Sequence, residues 1–135
     1  MIDLTKPDLR KIPIGERVKT AKGFVWQLKE RDGDKETWLD ETTKITWHDP
    51  KVSGINHYQA IEMFQDKLPT KEEFEVAEEH GVREVMDLRE KNLWSSSVHP
   101  KYADGAFSFY GSNGHIGNIA RSNGSSDDAA LCVER

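Results

Sequence analysis

Cysteine is nearly absent from this chain. Cys132 is the only one in 135 residues, so no intramolecular disulfide can form. Long apolar runs are absent too. None approaches the ~20 residues of a membrane-spanning helix, and no apolar signal-peptide core follows Met1. This leaves two readings: a cytoplasmic chain, or a mature domain or fragment of a longer protein. Positive charge is in deficit, with 19 Lys and Arg against 24 Asp and Glu. A net charge of -5 argues against general nucleic-acid binding, which depends on neutralising phosphates. Metal-ligand spacing is missing as well. His48, His57, His80, His99 and His115 are scattered, with no His-x-x-x-His pair on one helix face. No Gly-x-Ser-x-Gly elbow is present. The glycines of Gly111-x-x-Gly114-x-x-Gly117 are followed by no helix, so they do not cradle a phosphate. No metal or cofactor is expected.

What is present suits one soluble domain. Its length allows roughly two-thirds of the unfolded chain's surface to be buried. Four Trp, five Phe and three Tyr supply much of the core volume, although 32% of residues are charged and the mean hydropathy is -0.75. Residues 1–22 read as an extended leader or linker. Lys6, Arg10, Lys11, Arg17, Lys19 and Lys22 are broken up by Pro7, Pro13 and Gly15. A basic nucleic-acid arm and a junction to an upstream protein are the other readings of that segment. The domain itself is expected over 23–135.

Phe24 to Leu28 and Glu36 to Leu39 predict a hairpin across Asp32-Gly33. Lys44 to Trp47 forms a further strand, stopped by Asp49-Pro50. Asn56 caps a helix to about Gln65, with Tyr58, Ile61 and Phe64 expected on its core face. Thr70-Lys71-Glu72-Glu73 is a capping box. The helix it opens turns Phe74 and Ala77 inward and its glutamates outward, and Gly81 closes it. From Asn92 to Ser126 charge thins, and Ser, Gly, Asn and aromatics dominate. Strands are expected around 93–97, 106–110, 115–121 and 129–134, with a tight connection over Gly111 to Gly114. Cys132 reads as a small core residue; a reactive thiol would need exposure and a cationic neighbour. Ser95 and Ser97 share one strand face, which suits close packing better than nucleophilic chemistry. Asp127 and Asp128 with Asn123 do not make the six to eight oxygens calcium wants. Asp127 is expected to order its own loop.

Leu68-Pro69-Thr70-x-x-Glu73, Trp94-Ser95-Ser96-Ser97 and the terminal Cys132-Val133-Glu134-Arg135 occur in an order and at distances that resemble a known family. This is the C-terminal domain family of the bacterial collagen-like adhesin Lcl, a C-type lectin-like family; the likeness spans roughly residues 38–135. It implies an α+β C-type lectin-like fold, two helices flanking an antiparallel β-sheet with the chain ends close together. Trp94 would then be a core anchor. The family often pairs a first-helix Cys with the last-strand Cys; here Met63 takes the first position. The resemblance implies that Met63 and Cys132 touch in the core. The calcium-lectin signatures (Glu-Pro-Asn or Gln-Pro-Asp, then Trp-Asn-Asp) are absent. So are the cysteines used by formylglycine-generating enzymes of the same superfamily.

The resemblance further implies a non-enzymatic recognition module for a surface glycan or protein ligand, placed extracellularly or on a bacterial cell surface. It could be the tip of a fibre or adhesin, and a homotrimer in that setting. The expected contact surface is Tyr110, Asn113, His115, Asn118, Arg121, Asn123 and Asp127, in the Ser/Gly/Asn-rich segment that suits adaptable binding loops. The rival reading is a stand-alone intracellular protein-interaction or structural domain. An enzyme would instead need titratable groups such as His115, Arg121 and Asp127 converging in a deep pocket.

Overall fold

A computed structural model describes residues 1–4, 12–50, 52–102 and 104–135. Among these, alternating apolar residues build two sheets, and three short α-helices pack on them. The six-stranded sheet contains β1 (Ile2–Asp3), β2 (Arg17–Lys19), β3 (Val25–Asp32), β4 (Lys35–Asp40), β5 (Ile45–His48) and, last in the chain, β11 (Val133–Glu134), ordered β1-β2-β3-β4-β5-β11. The five-stranded sheet contains β6 (Val52–Ser53), β7 (Asn92–Val98), β8 (Gly105–Tyr110), β9 (Ile116–Ala120) and β10 (Asp128–Ala130), ordered β6-β10-β7-β8-β9. The helices are α1 (His57–Phe64), α2 (Lys71–Glu79) and α3 (Val82–Val85).

The main core lies between the sheets and α2. Period-2 alternation sends Trp26 and Leu28 of β3, Trp38 of β4 and Trp47 of β5 inward. They meet Phe74 and Ala77 of α2 and Leu93, Phe109 and Ala129 of the five-stranded sheet. Alternate residues of that second sheet face the other way. There Trp94 is enclosed by Ala60, Leu68, Ala106 and Ala130, with Ile61 and Phe64 of α1 alongside. The five-stranded sheet is therefore covered on both faces, which explains why its strands carry so little charge.

Local chemistry sets the element ends. The β3–β4 hairpin turns over Gly33-Asp34, where Gly33 takes φ 62°, a conformation that favours glycine. Capping boxes open both α1, through Asn56 and Gln59, and α2, through Thr70 and Glu73. Gly81, at φ 88°, lies between α2 and α3.

The resemblance motifs meet at one node. Arg135 makes a two-point bond to the Glu73 carboxylate, at 2.7 Å on each arm, and donates to the carbonyls of Asp66 and Leu68. Ser96 N–H donates to Pro69 O, and Ser97 Oγ accepts the first N–H of α2, from Lys71. Ser95 Oγ bonds Phe107 O at 2.8 Å. The serines lie where β7 bulges, the three of them between the paired Trp94 and Val98 standing against the single Phe107 on β8. Leu-Pro-Thr, Trp-Ser-Ser-Ser and the terminal Arg thus tie helix ends to strands. Burial alone would raise the Glu73 carboxyl, but the bonds from Arg135 and Thr70 outweigh it and hold the group below its usual value.

The fold is α+β and mostly β, and several expectations need correction. Residues 12–22 are no leader. Arg17–Lys19 pairs with β3, and Val18 is fully buried, while Ile2–Asp3 adds a parallel strand beyond it. Lys6, Pro7, Arg10 and Lys11 lie outside the described residues. β1 and β11 occupy the two edges of one sheet, five positions apart in its strand order.

The last strand is two strands. Leu131-Cys132 carries the chain from β10, parallel to β7, over to β11, antiparallel to β5. Tyr58 is half-exposed, because the buried stripe of α1 is His57 and Ala60 with Ile61 and Phe64 partly covered. Met63 is 52% exposed, on a helix that covers the outer face of the five-stranded sheet. Cys132 is half-buried beside β5, where its carbonyl accepts the His48 N–H. Met63 is therefore not a core residue, and Cys132 is not enclosed in the core either. Finally, Asp128 rather than Asp127 orders the preceding loop: it is buried and accepts from the N–H and hydroxyl of Ser125.

Candidate functional site

The seven residues expected at the contact surface divide among separate places. Tyr110, Asn113 and His115 sit at the β8–β9 hairpin. Asn113 Oδ1 accepts the His115 N–H at 2.9 Å, and the Tyr110 ring lies over Gly117, where an added Cβ would come within 2.1 Å of its hydroxyl. Arg121 and Asn123 leave the opposite end of β9, about 16 Å away along five strand residues. Asp127 is exposed ahead of β10, and its carbonyl accepts the Asn92 N–H. Asn118 pairs with Phe107, so it faces the sheet surface opposite to Tyr110 and Ile119. His115, Arg121 and Asp127 do not converge.

Arg121 is engaged within the fold. Its guanidinium lies 4.2 Å from the centre of the Tyr58 ring, and its Nε donates to His57 Nδ1 at 2.9 Å. His57 is fully buried at the first turn of α1, and its Nε2 donates to Ser95 O at 2.8 Å. Both ring nitrogens are thus matched to the neutral Nε2–H tautomer. Burial lowers the His57 pKa, the Ser95 carbonyl pulls it the other way, and the Arg121 charge lowers it further; the net direction is down.

The consequence is an acid-labile contact. Below the ordinary histidine value of about 6.5 the unfolded chain takes a proton that the folded one refuses. Stability contributed by neutral His57 is therefore complete above that pH and is lost as pH falls from it toward the folded value. The loss is at most about 1.4 kcal/mol per pH unit. Urea denaturation at pH 7.5 and 5.5 should show a smaller acid penalty in His57→Gln than in the parent. An equal penalty in both would refute this assignment.

A different surface brings together side chains that sequence reasoning left apart. Past the end of β7, the His99 ring lies 4.7 Å from Tyr102 and 5.4 Å from Phe107, centre to centre. Lys71 Nζ stands 5.0 Å over the Phe107 ring, and Asn118 is cross-strand from Phe107. The Asn118 amide occupies space that only Gly105 leaves open, since a Cβ there would lie 2.5 Å from its Oδ1. Tyr102 is 58% exposed and Phe107 half-buried. His99 Nδ1 accepts the Lys101 N–H, which leaves Nε2 as the ring nitrogen available to a ligand.

Of these five residues only Asn118 was expected at the site. The run Ala106 to Tyr110 does place Phe107 and Phe109 on one face, but nothing local separates the buried Phe109 from the half-buried Phe107. That difference arises because α2 stacks the Phe74 ring on Phe109 and sets only the Lys71 side chain of its first turn over Phe107.

Among the described residues no group of three or more His, Cys, Asp or Glu is placed to hold a metal ion. No described helix is long and apolar enough to cross a membrane. No family model, curated protein or solved structure matches the chain.

Proposed function

We propose that this protein is a non-enzymatic recognition module that binds a hydroxyl-rich ligand, a glycan, on the surface formed by Tyr102, His99, Phe107 and Asn118. The observation that carries this reading is an aromatic row, exposed at Tyr102 and half-buried at His99 and Phe107, beside an exposed amide without a hydrogen-bond partner among the described residues. Aromatic faces offer apolar area to the C–H face of a sugar ring. An amide can donate to one hydroxyl and accept from another. Lys71 at the margin adds a cationic donor that suits a carboxylated or sulfated sugar. This reading keeps the expected role of Asn118. It assigns Arg121 to the structural contact with His57 and Tyr58, and Asn113 to turn geometry.

A C-type lectin-like identity, a place on the cell surface, and a fibre-tip or trimeric setting belong to the same reading. They rest on the motif resemblance alone. The rival protein-interaction domain would use a flat surface with less need for an aromatic row beside an open amide.

A glycan array run in calcium and in chelator tests the reading. The expected result is specific binding that weakens about tenfold in Tyr102→Ala, the size of one aromatic contact, and comparably in Asn118→Ala, with the melting temperature unchanged because both side chains are exposed. No glycan bound by the folded protein, or binding that neither change weakens, would overturn the assignment.

A further inference from the structure

The other flank of α2 forms a second concave feature, a cleft of about 170 Å³ between the helix and the ends of β4 and β5. Trp47, Ile45, Val76 and Ala77 supply apolar walls, and Asp40, Thr43, Glu72 and Glu73 complete the lining. Its size decides what fits. Sites for drug-sized molecules run to ~300 Å³ or more, and a cavity of ~150 Å³ holds a single benzene ring. One side chain fits; an oligosaccharide does not.

Its charge decides which side chain. Three carboxylates line the cleft and no Lys or Arg does. Two of the three are committed inside the fold: Asp40 to His80 Nδ1 at 2.6 Å and to Thr42 N–H, and Glu73 to the Arg135 guanidinium and the Thr70 N–H. Glu72 is exposed and has no partner among the described residues. Val76, 42% exposed, leaves an apolar surface open to solvent beside it. An apolar slot with an uncommitted carboxylate in its lining matches a long methylene stem ending in a cation.

We propose that this cleft is a docking site for a lysine side chain of a partner protein, its stem against Trp47, Ile45 and Val76 and its ammonium beside Glu72. The site is separate from the aromatic row, because α2 turns Lys71 toward Phe107 and Glu72 toward the cleft.

The test is a titration with N-acetyl-lysine methylamide and its uncharged norleucine counterpart, followed by NMR at the Trp47 indole N–H and the Val76 and Ala77 methyls. Binding of a single side chain is weak, in the millimolar range. The lysine probe should shift these signals and bind about threefold more tightly than norleucine, the scale of one exposed charge pair. Glu72→Gln should erase that preference while leaving norleucine binding intact. Val76→Phe, which fills the slot from an exposed position, should abolish both. Equal binding of the two probes, an unchanged preference in Glu72→Gln, or shifts confined to other surfaces would overturn the proposal. Since glycan binding is read at Tyr102 and Asn118, failure of either site leaves the other standing.

Discussion

Trp94→Ala is expected to cost about 3–5 kcal/mol, the range for removing a large aromatic from a packed core. Against a total stability typically of about 5–15 kcal/mol for such a domain, the variant should lose a large share of its stability. Three contributions combine at this residue. The indole is fully buried, its surroundings include Ala60, Ala106 and Ala130, and its Nε1 donates to Ile55 O at 2.9 Å. Alanines have no side-chain reach with which to collapse into the space left behind, so the cavity would persist. The Ile55 carbonyl would lose its partner as well. His57, in edge contact with the indole at 5.4 Å, would lose one wall of its pocket. Urea denaturation measures the loss; a drop below about 1 kcal/mol would show that the site relaxes and that the alanine cage is not rigid.

Gly111→Ala should be damaging for a reason the turn around it does not disclose. A Cβ at this position would lie 1.8 Å from the Leu88 carbonyl oxygen and 2.6 Å from its carbon. The obstacle is backbone, so no side-chain rotation relieves it. Gly111 N–H also bonds to Lys91 O at 2.9 Å, which pins the two segments together. The segment after α3 and the start of the β8–β9 turn would have to separate, at a cost of about 3 kcal/mol or more.

Gly33→Ala makes the comparison. That glycine has positive φ but nothing within 4 Å of an added Cβ, so only backbone strain of about 1–2 kcal/mol opposes the change. The denaturation midpoints should therefore fall much further for Gly111→Ala than for Gly33→Ala. The reverse order would mean that Leu88 yields easily and that the close approach is not fixed.

These glycines also mark the limit of reading the chain by itself. Gly33 was legible, because the Asp-Gly dipeptide between two alternating runs specifies a tight hairpin whatever surrounds it. The Asn56 cap, the Thr70 capping box, the buried face of α2 and the strands around 93–97, 106–110 and 115–121 were legible for the same reason: their causes lie within a few residues of one another. Gly111 was read as a turn glycine, but its requirement comes from Leu88, far outside any local window. Tyr58 was placed inward on a sound helical period. Ile61 and Phe64 do face the core, but His57, a polar residue, takes the inward place expected of Tyr58 because Arg121 and Ser95 offer it bonds there.

The same division runs through the candidate sites. The sequence on its own determined the mixture of helices and strands, most of the elements and the presence of a charge-poor second half, while the core role of Trp94 was implied by the motif resemblance. Alternation, helix period and capping chemistry are short-range and act before the chain has a shape. Only the tertiary structure decided that residues 17–19 are a strand rather than a leader, that the last strand passes between two sheets, and that the first and last strands lie at opposite edges. It alone put Tyr102, His99, Phe107, Lys71 and Asn118 on one surface, and Asp40, Trp47, Glu72 and Val76 around one cleft. Sheet order and the end of helix α2 set those groupings. Both follow from which apolar faces can be buried together across the whole chain, a condition that no single segment carries.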